Sequence, residues 1–229
     1  MLKTERMDRV RAALRAQGLT QMIVCDPKSV WYLTGIAVEP YERLLALYLP
    51  TEGEPVLFLN RLFNVPEPPC RTVWHTDTDK PVAQIAEVVD AGRPLGIDKE
   101  WPAKFLIPLM ETHPGMQVVL SSDCVDDCRA CKDAEEQALM REASRINDAV
   151  NEAAKHYIRA GMTEREVAEF IDAQFRAHGC EGPSFTTIVS FGANAADPHH
   201  EPDDTVLKEG DCVLFDMGCV KSRYCSDMT

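Results

Sequence analysis

The stretch PHHEPDDTVLKEGDCVLFDMGCVKSRYCSDMT, residues 198–229, carries the chemistry on which the reading of this chain turns. Val213-Leu214-Phe215 is a strongly apolar strand that delivers Asp216. Asp227 follows eleven positions later, in a second strand-like run containing Tyr224. Gly218 offers a place to bend between the two strands. A hairpin in suitable register puts both carboxylates on one face, close together. Neighbouring carboxylates repel, and burying either of them costs solvation. A cation is therefore expected between them. A divalent metal or a metal pair is one candidate. Lys221 or Arg223, at alternating positions nearby, is the other, and Asp pairs also occur in ordinary turns.

His199 follows Pro198 in a polar loop between the strand-like segments 184–192 and 211–218. A loop histidine is ordinarily just solvated. Beside a metal it can donate a hydrogen bond to a substrate oxygen. His200, Asp203 and Asp204 are expected at the surface.

Upstream, Thr163 with Glu166 three residues later is a capping-box signature, and it opens a helix that runs to about His178 and stops at Gly179. Before it, 133–160 reads as one long helix with Leu139, Ala143, Ile146, Val150 and Ala154 as its apolar stripe, ended by Gly161. The domain boundary falls at about 121–132. Cys124, Cys128 and Cys131 lie there, but a metal or cluster site needs a fourth ligand, so they read as structural thiols. From residue 4 to about 120, short helical and strand-like runs alternate. LLALYLP (44–50) and PVLFLN (55–60) flank Thr51-Glu52-Gly53-Glu54 as a hairpin. A helical window at 81–91, a strand at 95–98, a helix at about 102–112 and a strand at 117–120 follow. This alternation predicts an α/β domain with a mixed sheet. Trp31, Trp74 and Trp101 fall in or near it and read as core or interface residues.

Composition narrows the function classes. The 229 residues carry 24 Lys and Arg against 37 Asp and Glu, a formal charge of −13, with 45% hydrophobic and 27% charged residues. That balance fits a soluble globular protein and gives no clustered basic face for nucleic acid. The first 18 residues are charged throughout and lack the apolar core of a secretory signal. No apolar run approaches a membrane span. The nine cysteines are accordingly expected as reduced thiols in a cytoplasmic protein. The chain stops at Thr229 inside a strand-like run, which leaves an unpaired edge; the expectation is the amino-terminal part of something longer.

The run GMTEREVAEFIDAQFRAHGCEGPSFTTIVSFGANAADPHHEPDD, then KEGDCVLFDMG, then YCSDMT, resembles the M24 metallopeptidases of the creatinase/aminopeptidase P "pita-bread" fold. The family includes Xaa-Pro aminopeptidases, prolidases and methionine aminopeptidases. RACKDAEEQALMREASRINDAV resembles its entry helix. WYLTG (31–35) and LGIDKEW (95–101) resemble the accessory domain of the creatinase and prolidase branch. The implied fold class is α/β (α+β): a creatinase-like amino-terminal domain over 1–125, then the first half of a pita-bread catalytic domain over 126–229.

The resemblance implies two divalent metal ions, manganese foremost, with cobalt, zinc or iron as the others. Five side chains hold them in the family: two Asp, one His and two Glu. Asp216 and Asp227 match the two Asp positions. His199 matches the non-ligand histidine that contacts substrate or the tetrahedral intermediate. The remaining ligands lie further along the chain in the family, so the 229 residues alone are expected to be inactive. The two-domain layout points to the Xaa-Pro branch and a peptide with proline in second position, cut after its first residue, by a homodimer. A creatinase- or lyase-type enzyme on the same fold and a non-catalytic pita-bread binder are the other readings. Retention of both Asp positions counts against the creatinase type. Cys212, Cys219 and Cys225 lie near the acidic pair and are expected to make it sensitive to oxidation.

Overall fold

Strands whose neighbouring side chains are buried in both directions need cover on both faces, and the amino-terminal part of the chain supplies it. The computed structural model describes residues 2–229, in two units, Met1–Cys131 and Lys132–Thr229. The first unit runs α1 (Thr4–Ala16), β1 (Gln21–Val24), α2 (Pro27–Thr34), β2 (Ala46–Pro50), β3 (Val56–Asn60), β4 (Arg71–His75), α3 (Pro81–Ala86), β5 (Leu95–Ile97), α4 (Ala103–Thr112), β6 (Val118–Leu120) and α5 (Asp123–Ala130). The six strands form one mixed sheet in the order β4-β3-β2-β1-β5-β6. β2 pairs antiparallel with β1 and β3, while β5 runs parallel to β1 and β6. Met22, Val24, Leu47 and Leu57 face Met7, Leu14, Leu33 and Cys128 on one side. Ile23, Tyr48 and Phe58 face Ile85, Trp101 and Leu109 on the other. The period-2 alternation of each strand thus feeds two cores at once.

The run SVWYLTG is helical. Asp26 caps it by accepting from the Ser29 N–H at 2.9 Å, Pro27 occupies the first turn, and Gly35 closes it with a left-handed φ of 74°. The hairpin around Thr51-Glu52-Gly53-Glu54 forms with Leu47 opposite Leu57. The sequence pattern predicts neither strand β4 nor helix α5. Helix α5 straddles the expected boundary near 125 and belongs to the first unit, where Cys124, Val125 and Cys128 join the core.

The second unit runs α6 (Ala134–Tyr157), α7 (Glu164–Ala177), β7 (Gly182–Pro183), β8 (Ile188–Phe191), a 3-10 turn (Gly192–Ala196), β9 (Val213–Asp216), β10 (Cys219–Lys221) and β11 (Tyr224–Cys225). β8 and β9 form one antiparallel pair; β11, β10 and β7 form a three-stranded sheet. Ala143, Val150, Val167, Ile171, Phe175, Val189 and Phe191 make the core. Both helices open on complete capping boxes, Asp133 with Glu136 and Thr163 with Glu166. Helix α6 ends at Tyr157, short of the expected Gly161, because Ile158 turns extended with ψ 143°. Gly161, at φ 97°, sits in the following turn, where its N–H donates to Leu207 O. Among the described residues, no helix is long and apolar enough to cross a membrane.

Candidate metal centre

Asp216 ends β9, which pairs with β8 so that Ile188 lies opposite Asp216 and Val189 opposite Phe215. The chain then enters a hairpin. Lys221 pairs with Tyr224 and Val220 with Cys225, and Met217 and Met228 exchange both backbone hydrogen bonds at 3.0 Å in the same register. The reversal is made by Ser222 and Arg223, both at positive φ (51° and 67°), as a two-residue hairpin turn of the I′ kind requires. Gly218 is therefore not the bend expected of it. It is a point of close approach: a Cβ there would sit 2.0 Å from Ser226 O and 2.2 Å from Ser184 Oγ.

Strand alternation from this register puts Asp216 and Asp227 on one face as diagonal neighbours, Asp227 lying across from Gly218. Phe215, Met217 and Cys219 take the opposite face, into the helical core. Helix α6 fixes that side through one stripe of residues. Glu136 Oε1 accepts from Tyr224 Oη at 3.0 Å, Ala143 O accepts from Cys219 Sγ at 3.7 Å, and Asn147 Nδ2 donates to Met217 O at 3.0 Å. Glu136 and Asn147 are buried. Apolar spacing predicts a stripe that omits them, and Leu139 and Ile146, which it includes, are only half-buried.

The acidic face has the properties of a cation site. Asp216 Oδ1 is buried with no hydrogen-bond partner among the described residues, and so is Ser190 Oγ on the same face of β8. A buried acceptor without a donor costs about 1–3 kcal/mol, which a bound cation would remove. Lys221 does not fill the role. It points to the opposite side, where its Nζ donates to Gly179 O at 2.9 Å and His178 O at 3.3 Å beyond the end of α7. Asp227 is exposed. Two carboxylates are hard oxygen donors, so the residues present fit a hard or borderline divalent ion.

His199 is exposed in the loop after the 3-10 turn, its N–H on Asp197 Oδ1 at 2.9 Å. His200, expected at the surface, is instead half-buried, with Nε2 2.6 Å from Glu164 Oε2. Burial of Glu164 at the start of α7 explains this: a carboxylate with no solvent must be met by donors. Phe191 N and Asn194 Nδ2 donate to its Oε1 at 2.7 and 3.0 Å; His200 Nε2 and Asp203 N meet its Oε2. The hydrogen bond to Glu164 raises the His200 pKa, burial opposing it. Bonds from Thr205 lower that of Asp203. Among the described residues, Glu164, His200 and Asp203 also form the one group of three with ligand atoms in mutual reach of a metal. Its close contact is a hydrogen bond, and both oxygens of Glu164 are already committed to donors.

The cysteines are free thiols. Burial pushes Cys124 up to about 11 and Cys180, beside Cys219, up to about 12. Neither is a thiolate at neutral pH. Cys219 faces the helical core, and Cys212 and Cys225 are exposed.

Comparison with known proteins agrees with this layout. The model of metallopeptidase family M24 matches residues 138–229, and that of the creatinase/prolidase N-terminal domain matches residues 6–131. An uncharacterized peptidase of Staphylococcus epidermidis is 30% identical over 224 residues, covering 96% of this chain and 63% of its own length. Among solved structures, the dipeptidase PepE of Mycobacterium ulcerans superposes with a TM-score of 0.86 at 29% identity, covering 98% of this chain and 62% of that one. A prolidase of Thermococcus sibiricus gives 0.85 at 28%, covering 99% and 64%. The chain thus spans just under two thirds of the length of these relatives. With the accessory domain matched over nearly all of the first unit and the peptidase model over the second, the chain belongs to metallopeptidase family M24, in the form that carries the creatinase/prolidase N-terminal domain.

Proposed function

We propose that this chain supplies the Asp216–Asp227–His199 share of a metal-dependent peptidase site that cuts the bond between an N-terminal residue and a following proline. The observation that carries the proposal is the buried, unpartnered Oδ1 of Asp216 on the face it shares with Asp227. Asp216 and Asp227 would hold the divalent ions, manganese foremost for an oxygen-rich donor set. When bound, such ions supply Lewis acidity to a scissile carbonyl and lower the pKa of water. His199, exposed and free of the Glu164 cluster, would donate to the developing oxyanion or to the substrate backbone. Proline in second position removes the N–H that general peptidases use, so its tertiary amide calls for a dedicated site. The relatives named as a dipeptidase and a prolidase support a short peptide substrate. The acting form is proposed as a homodimer in the cytoplasm. Alone, the 229 residues are proposed to be inactive, since they offer two of the five ligand positions that the family resemblance implies.

The test is hydrolysis of an Xaa-Pro dipeptide and a longer Xaa-Pro peptide by the natural gene product that contains this chain, loaded with Mn2+. Asp216→Asn, Asp227→Asn and His199→Ala are each expected to lower kcat/KM by at least about 100-fold. Full activity in Asp216→Asn would refute the assignment. Silence of the wild type with no bound metal would favour a non-catalytic binder.

A further inference from the structure

One fully buried carboxylate holds both ends of the loop that carries His199. Glu164 Oε1 takes the Phe191 N–H, where β8 ends, and the Asn194 amide in the 3-10 turn. Its Oε2 takes His200 Nε2 and the Asp203 N–H on the return. The backbone of the same helix start completes the attachment: the Glu164 N–H donates to Thr205 O and the Arg165 N–H to Asp203 O, both at 3.2 Å. Those are the amides a helix leaves unmatched in its first turn. His199 lies between the Asn194 and His200 attachments, one residue from the second. We infer that Glu164 and His200 are positioning residues for His199, and that protonation of His200 is what locks its loop; the inference rests on the peptidase reading only for what His199 then does.

The physical reason is the asymmetry of a buried carboxylate. Ligand atoms of Glu164, His200 and Asp203 lie within 4.8 Å of one another, and Asp197 also acts on His200. With His200 neutral, three acidic groups meet there with Arg165 as the nearby cation, and Arg165 is paired with Asp204 at 3.2 Å. With His200 protonated, the buried charge of Glu164 has a cationic partner at 2.6 Å. The folded-state pKa of His200 is raised, so the lock is complete below the ordinary imidazole value of about 6.5 and is lost as pH rises through the raised value.

The experiment uses this chain and needs no catalysis. Side-chain nitrogen NMR follows His200 with pH, and amide hydrogen exchange gives protection factors for residues 192–203. In the wild type, His200 should titrate above the ordinary imidazole value of about 6.5, and protection across the loop should fall along the His200 curve. His200→Ala, at a half-buried position, should lower protection in the loop by about tenfold or more while α6 and α7 keep theirs. Glu164→Gln should bring the His200 titration down to the ordinary range. Should Glu164→Gln fail to fold, His200→Ala and the wild-type pH series still decide. Loop protection that is flat with pH, or unchanged in His200→Ala, overturns the inference. Success here combined with full peptidase activity in Asp216→Asn would sink the peptidase assignment alone.

Discussion

Gly218→Ala is the sharpest perturbation the structure offers. The new methyl would lie 2.0 Å from Ser226 O and 2.2 Å from Ser184 Oγ. One obstacle is backbone, so it cannot rotate aside as a flexible side-chain end can. Forcing a methyl into a filled space costs about 1–3 kcal/mol. Relief requires the two arms of the hairpin to part between Gly218 and Ser226 and the hairpin to shift away from Ser184. That strains two hydrogen bonds, Ser184 N to Gly218 O at 3.0 Å and Ser184 Oγ to Ser226 O at 2.8 Å. Each contributes about 1 kcal/mol. The sum is about 3–5 kcal/mol, a large part of the roughly 5–15 kcal/mol that holds an ordinary domain. Urea unfolding followed by circular dichroism should show a midpoint lowered by at least about 1 M. Adding Ser184→Ala should recover only the Ser184 share, because Ser226 O stays in place. A Gly218→Ala chain within about 1 kcal/mol of wild type would refute the claim that close approach, and not bending, fixes glycine here.

Two further outcomes test the packing of the two units. Asn147→Ala removes the donor that holds Met217 O from α6; it should destabilise by about 1–2 kcal/mol in urea titration, with equal stability counting against the anchoring role. Brief iodoacetamide treatment with peptide mapping should label the exposed Cys131, Cys212 and Cys225 first and leave the buried Cys25, Cys124, Cys128 and Cys219 unlabelled until denaturant is added. Early labelling of Cys219 would contradict its place in the helical core.

Local signals were legible wherever local chemistry decides the outcome. The Thr163–Glu166 capping box needs four consecutive residues, and it forms as read. The Thr51–Glu54 hairpin and the sheet of the first unit follow from short apolar runs and their punctuation. The acidic pair was visible as two strands each delivering an Asp, but the turn between them was not. Glycine usually marks positive φ, and here the positive φ belongs to Ser222 and Arg223 while Gly218 answers to a neighbour's carbonyl. Glu136 and Asn147 were hidden because apolar periodicity discards polar residues. Their burial is repaid by Tyr224 and Met217, which lie 88 and 70 positions away. The pairing of Glu164 with His200, 36 positions apart, has no local signal either; a Glu after a helix cap reads as a solvated first-turn acid until the loop folds onto it.

Paramagnetic broadening by Mn2+ tests the central claim most directly. Titrated into the isotopically labelled chain, substoichiometric Mn2+ should selectively erase the amide signals around Asp216 and Asp227 and leave those around Glu164, His200 and Asp203. Asp216→Asn should restore them. Broadening centred on the Glu164 cluster, or a pattern unchanged by Asp216→Asn, would contradict the account.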